Sequence, residues 1–276
     1  MNLKEFLSFY LLPLYLPLRY IEKINDRIGN KIKFDEVTLV LNYIHKTKAA
    51  GTMFDVGAQY GESFSPFAYL GWNIFAFEPD NNPQKQNALS KYKSNPKVKI
   101  SSEAVSDSEK QDVPFFASNE STGISSLAAF TNGHKEIART NVTTLSRFIE
   151  KNSVHRIDFL KIDIEGYDFM ALKGFPWHIM TPDFIICEFD DNKTLKLGHS
   201  YRDIGHFLLS KGYSVFLSEY FPLERYGKSS KWRGIYKFPC DLSDQKGWGN
   251  FICLSRNINQ QKFFKKLNGS SIKTIF

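Results

Sequence analysis

Apolar positions along this chain change period several times, and each change marks an element. In FDEVTLVLNYIHK, residues 34–46, Val37, Val40, Leu41 and Ile44 recur at helical spacing and predict a helix. The next apolar run, TMFDV at 52–56, is short and continuous, as a strand is when both of its faces are covered. Gly61 to Leu70 reads as a helix closed by Gly71. NIFAFEP, 73–79, reads as a second strand stopped by Pro79. A helix over 82–93 and a third strand in VKISSEAVS, 98–106, follow. From about 111 to 142 the pattern alternates in the manner of short antiparallel strands. Thr144 caps a predicted helix in LSRFIEKN. The fourth strand is IDFLKID, 157–163, with a helix from about Tyr167. DFIICEF (183–189), a helix over 201–211, YSVFLSEY (213–220) and GNFICLS (249–255) complete the series.

Strands that alternate with helices predict an α/β domain: a Rossmann-like, mostly parallel sheet with helices on both faces. No convincing helix separates the sixth and seventh strands, so the last strand is expected to run antiparallel. Their connection, from Phe221 to Gly249, is long and carries Phe221, Tyr226, Trp232, Tyr236 and Phe238 among basic residues. Long connections are usually functional, and this one reads as a cover over the substrate. The expected division is an N-terminal arm and helix over 1–48, a main domain over 49–256 with the cover at 220–248, and a basic tail over 257–276.

Composition adds little to this until the ends are considered. The chain has 276 residues, 42% hydrophobic, enough for a full core. Its net charge of +7 is concentrated in two acid-free stretches, Arg225–Lys237 and Arg256 onward. Such stretches attract an anionic glycan, a lipid surface or RNA, or simply keep the protein soluble. Three cysteines without metal or redox spacing suit a reducing cytoplasm. The opening MNLKEFLSFYLLPLYLPL is apolar only from Phe6 to Leu18 and is broken by Pro13 and Pro17. That is short of the roughly 20 residues needed to span a bilayer, and no small-residue cleavage site follows. The arm therefore either packs on its own domain or a second copy, as in a homodimer, or rests on a membrane surface.

The candidate chemistry lies at the predicted carboxyl ends of the strands. TMFDVGAQYG ends its strand on Asp55 and turns through Gly57 and Gly61, with Glu78 at the tip of the next strand. A turn that lets a ligand approach, followed about 20 residues on by an acid that accepts ribose hydroxyls, indicates a nucleoside cofactor. The middle glycine of a dinucleotide turn is missing, which disfavours a nicotinamide enzyme. Asp55 suits a cofactor bearing an ammonium and a sulfonium, S-adenosylmethionine. Ser102, Glu103 and Ala104 fall where adenine would be read. Asp163 and Glu165 follow the fourth strand, and Glu188, Asp190 and Asp191 the fifth. So many acids on one rim are costly unless cations or hydroxyls meet them. Asp163, then Glu188, then His199 are the candidate bases, and Asp163, Glu188 and Asp190 offer oxygen ligands for Mg²⁺.

The motifs FDVGAQYGES, AFEPD, SEAVSD, GISSL, VTTLSRFIE and DFLKIDIEGYDFMALKG resemble the FkbM family of S-adenosylmethionine-dependent methyltransferases over about residues 50–220. The resemblance implies a seven-stranded class I methyltransferase fold and methyl transfer to an oxygen, often of a sugar or small natural product. It implies that Asp55, Gly57, Ala58 and Gly61 hold the methionine part, Glu78 with Pro79 the ribose, and Glu103 and Ala104 the adenine, with Asp163 near the methyl. Gln59 and Asp168 depart from the family's usual Asn and Glu. The competing readings are a binding protein that keeps this fold without chemistry and an RNA methyltransferase. Against the latter, the chain has no N-P-P-Y-type motif, and nucleic acid is not an expected partner.

Overall fold

The computed structural model describes residues 34–118, 121–129, 133–222 and 231–265, with backbone alone for 121–124. The apolar opening, Arg225, Tyr226 and most of the basic tail lie outside the described residues. Among those described, no helix is long and apolar enough to cross a membrane.

The main sheet has eight strands in spatial order β11-β10-β12-β9-β8-β1-β2-β3. These are β1 (Thr52–Val56), β2 (Asn73–Phe77), β3 (Val98–Ser101), β8 (Phe159–Ile162), β9 (Phe184–Asp190), β10 (Ser214–Tyr220), β11 (Trp232–Lys237) and β12 (Trp248–Leu254). Strands β3, β2, β1, β8 and β9 are mutually parallel. Strand β12 inserts antiparallel between β9 and β10, as its missing crossover helix requires. The seven expected strands are present, but the third ends at Ser101, and Ala104–Val105, expected within it, pairs in a second sheet. The eighth, β11, comes from the segment read as a substrate cover and pairs antiparallel with β10. There Trp232 and Phe238 are buried, and Trp232 stacks on Phe34 at 4.3 Å between ring centroids. For 232–238 the cover reading therefore fails: alternating aromatics in this stretch pack a sheet edge.

Both faces of the sheet are covered. On one lie α1 (Glu36–Ile44), α2 (Ser65–Tyr69), α3 (Pro83–Ser90) and α8 (Gln260–Phe264). On the other lie α4 (Leu145–Lys151), α5 (Asp168–Lys173) and α7 (Tyr201–Ser210). The caps are those the side chains dictate: Asp35 accepts from Val37 N, Asn82 from Gln84 N, and Thr144 from Arg147 N. Phe263 and Phe264 are buried with the residues of α1, so the expected boundary at 257 cuts through packed structure. The alternating region is a separate four-stranded sheet, β4-β7-β5-β6. Its strands are β4 (Ala104–Val105), β5 (Lys110–Ser118), β6 (Ser121–Ser126) and β7 (His134–Thr143). This small sheet leans over the carboxyl ends of the parallel strands.

Candidate functional site

A cleft opens at the carboxyl ends of β1, β2 and β8, where strand order reverses between β1 and β8. Gly57 leaves β1 at φ +85°, and a Cβ there would lie 1.9 Å from the Asp163 carbonyl oxygen, so no other residue fits. The Gly57 and Ala58 amides donate to the Phe77 carbonyl at 3.0 and 2.9 Å, and the Gln59 amide donates to Glu78 Oε2 at 2.7 Å. These three donors are spent internally, so they form no cradle for a pyrophosphate. The helix expected from Gly61 starts only at Ser65, after a series of turns. Gly61 itself is buried and packs against Phe64, away from the cleft wall. Gln59 sits at φ +51°, a conformation that Asn adopts more readily than Gln.

The wall holds Gly57, Ala58, Glu78, Pro79, Glu103, Ala104, Asp163 and Glu165 from the residues the sequence singles out. Ser102 is exposed and outside it; its carbonyl accepts from the Thr140 hydroxyl instead. Asp55 is fully buried and does not reach the cleft. The register sets it directly opposite Lys161 on β8, and Lys161 Nζ lies 3.3 Å from its Oδ1. That is an ion contact without hydrogen-bond geometry, and both Asp55 oxygens lack a hydrogen bond. Burial raises the Asp55 carboxyl to about 6, against the pull of Lys161. Lys161 lines the cleft in its place, 3.3 Å from the Gly57 carbonyl and 3.5 Å from Asp163 Oδ2.

Glu78 is buried, and burial raises its carboxyl while Lys85, 3.6 Å away, opposes the shift. Its Oε1 accepts from the Asp80 amide at 3.0 Å. With one backbone bond on each oxygen, about two of its four acceptor sites are left for a vicinal diol. Burial pushes Asp80 up, but Lys85 at 2.8 Å and the Ser125 hydroxyl, also at 2.8 Å, outweigh it and hold Asp80 below its ordinary value. Ser125 and Ser126 belong to the GISSL motif. Ser126 donates to the Glu165 carbonyl at 3.0 Å, so this pair ties the small sheet down over both sides of the cleft.

The far side is organised by Lys193, which the sequence reading missed. Its ammonium is 2.5 Å from Glu165 Oε2, 3.2 Å from Glu188 Oε2 and 3.5 Å from Asp190 Oδ2. Burial pushes Glu188 well up, Lys193 opposes this, and the Glu165 and Asp163 charges add to the rise. Glu188 faces Lys193 and does not line the cleft, so it is not placed to act as a base on a substrate there. Its neighbour Asp190 caps the helix α6 (Asp191–Thr194), accepting from the Asn192 amide at 3.0 Å. Among the described residues the cluster with metal-like spacing is thus Asp163, Glu165 and Glu188, with Glu165 in the place expected of Asp190. His199 is buried against the Phe169 ring, centroids 5.2 Å apart, and lies outside the cleft wall. Burial lowers its pKa. Asp168 staples the turn by accepting from Ile164 N and Gly166 N at 3.2 and 2.9 Å, so replacing the family's Glu leaves a structural bond intact.

A cationic nucleoside cofactor fits this donor set: spent amides, free carboxylate acceptors on Glu78, and acids that outnumber the lysines among them. A model of the methyltransferase FkbM domain matches residues 55–215. No curated protein matches the chain. Among solved structures, it is similar to a protein from Pyrococcus horikoshii provisionally assigned as an RNA methyltransferase (14% identity, 79% of this chain and 83% of that one, TM-score 0.39). It is similar also to the C-terminal domain of precorrin-6Y C5,15-methyltransferase from Rhodobacter capsulatus (11%, 79% and 88%, TM-score 0.39). A third is a protein from Staphylococcus aureus provisionally assigned as a caffeoyl-CoA O-methyltransferase (10%, 86% and 91%, TM-score 0.38). These scores are too low to carry an argument beyond the domain match.

Proposed function

The chain belongs to the FkbM methyltransferase domain family and is an S-adenosylmethionine-dependent methyltransferase, and from that premise we propose that it methylates a hydroxyl of a sugar, a glycan or a small natural product, with Asp163 as general base. When bound, the cofactor supplies a methyl group already activated on a sulfonium. Gly57, Ala58, Glu78, Pro79, Glu103 and Ala104 would hold it, Glu78 through its remaining acceptor positions. Asp55 acts at one remove, by anchoring Lys161 at the turn.

The observation that carries the reading is the state of Asp163. Its side chain is 41% exposed in the cleft wall, whereas Glu165 and Glu188 face Lys193. An aliphatic hydroxyl attacks poorly until its proton can leave, and a positioned carboxylate is worth about 10²–10⁴ in rate. Lys161, fixed between Asp55 and Asp163, steadies that carboxylate. Tyr60, Tyr167 and Phe115 narrow the same cleft and limit the water that reaches it. The lack of an N-P-P-Y-type motif favours oxygen over a base amino group as acceptor.

The test is mass spectrometry of glycans and small metabolites from cells with and without the protein. A species one methylene lighter is expected in its absence, restored by the purified enzyme with a trideuteromethyl-labelled cofactor. Label found on nucleic acid alone, with no sugar or metabolite hydroxyl modified, overturns the acceptor class.

A further inference from the structure

Three carboxylates converge on one buried ammonium beside the cleft. They come from two places in the chain: Glu165 from the turn after β8, and Glu188 and Asp190 from the end of β9, where Asp190 caps α6. The Lys193 side chain is 4% exposed. An ammonium has three donors, and here it meets three acids, at 2.5, 3.2 and 3.5 Å. One oxygen from each of Asp163, Glu165 and Glu188 lies within 4.8 Å of the others, a spacing that also suits a cation. A divalent ion, however, requires about six oxygens at roughly 2.0–2.6 Å, and the lysine head already holds two of these three groups. Glu165 in addition sits at φ +58°, a strained setting for a non-glycine residue. Its carbonyl is held by Ser126 and its carboxylate by Lys193, so the lysine pins a strained residue on the cleft wall.

We propose that Lys193 is this chain's own cation for the corner formed by Glu165, Glu188 and Asp190: it positions Glu165 and Glu188 beside Asp163 and excludes a divalent metal, which the corner binds once the lysine charge is removed. The idea does not rest on the identity of the acceptor. Its readout is cation binding, so its failure and the failure of the hydroxyl-methylation reading are separable.

The test uses the full chain and Mn²⁺ as probe, followed by the spin resonance of free Mn²⁺ and by the thermal midpoint. Wild type is expected to show no saturable Mn²⁺ site that depends on Glu165, and its turnover is expected to survive chelation. Lys193→Gln is expected to gain one Mn²⁺ per chain and a midpoint that rises with Mn²⁺. The double variant Glu165→Gln/Lys193→Gln loses that gain, and Lys193→Arg, which keeps the charge, never acquires it. A wild-type Mn²⁺ site abolished by Glu165→Gln overturns the proposal. So does a folded Lys193→Gln that binds no more Mn²⁺ than wild type. Should Lys193→Gln fold only when Mn²⁺ is supplied, that rescue supports the proposal; should Mn²⁺ fail to rescue it, that result counts against it.

Discussion

Lys161 and Lys193 are both buried and both lie among carboxylates, yet they do different work. Lys161 sits on β8, opposite Asp55, and its ammonium reaches the cleft wall. Lys193 sits on α6, and its ammonium points at acids rather than at the cleft. At the first corner one partner, Asp163, remains half open and can meet a substrate. At the second the lysine holds the acids: Glu188 is buried away from the cleft, and Glu165, although on the cleft wall, has its carboxylate on Lys193. A row of acids along a sheet rim is therefore not in itself a receptor for a cationic cofactor. What counts is which acids are left facing the cleft after the buried lysines have taken their share.

The sharpest way to break this contrast is Asp163→Asn. It should lower kcat by about 10²–10⁴ while cofactor affinity, read by calorimetry, stays unchanged; retained turnover places the base elsewhere. Glu36 sharpens the contrast as a buried carboxylate hydrogen-bonded to a tyrosine hydroxyl. The Tyr220 hydroxyl donates to it at 3.2 Å, and burial raises it from 4.5 to about 7. The folded state thus holds this proton more tightly than the unfolded state. Its contribution is complete below pH 4.5 and is lost as pH rises to 7. Glu36→Gln should remove up to about 3 kcal/mol of that decline, at about 1.4 kcal/mol per pH unit. Denaturant titrations at several pH values would show an unchanged slope if the assignment is wrong. Glu78→Gln, on the cofactor side, should weaken cofactor binding by about tenfold to a hundredfold, the worth of a charge-assisted hydrogen bond at about 1.5–3 kcal/mol. The smallest effect belongs to the closed corner: Glu188→Gln should leave turnover within about threefold, or under ~0.7 kcal/mol on the barrier. A large loss there would make both corners reactive and erase the distinction.

Much of the cleft wall is legible in the sequence. Gly57, Glu78, Pro79, Glu103, Ala104 and Asp163 follow from strand ends and spacing, and all line the cleft. Lys161 could have been found the same way. It interrupts the apolar run FLKI, and a lysine in a strand covered on both faces is almost never buried without a partner. Lys193 offered no such signal, since in DDNKT it reads as an ordinary helix-end charge. His199 misled because following an acidic loop in sequence says nothing about which way a ring turns. Trp232 and Phe238 misled because aromatics beside basic residues look the same in a lid and in an edge strand.

By itself the sequence determined seven of the eight strands of the main sheet, the antiparallel run of the last of them and the turn around Gly57. These depend on local periodicity, caps and backbone freedom, which act over a few residues. Only the tertiary structure decided that Asp55 faces Lys161, that one lysine gathers Glu165, Glu188 and Asp190, and that Ser125 and Ser126 clamp the small sheet over the cleft. Burial and Coulomb interaction depend on distances between strands that are remote in the chain. Those distances are set by register and sheet order, to which local spacing is blind.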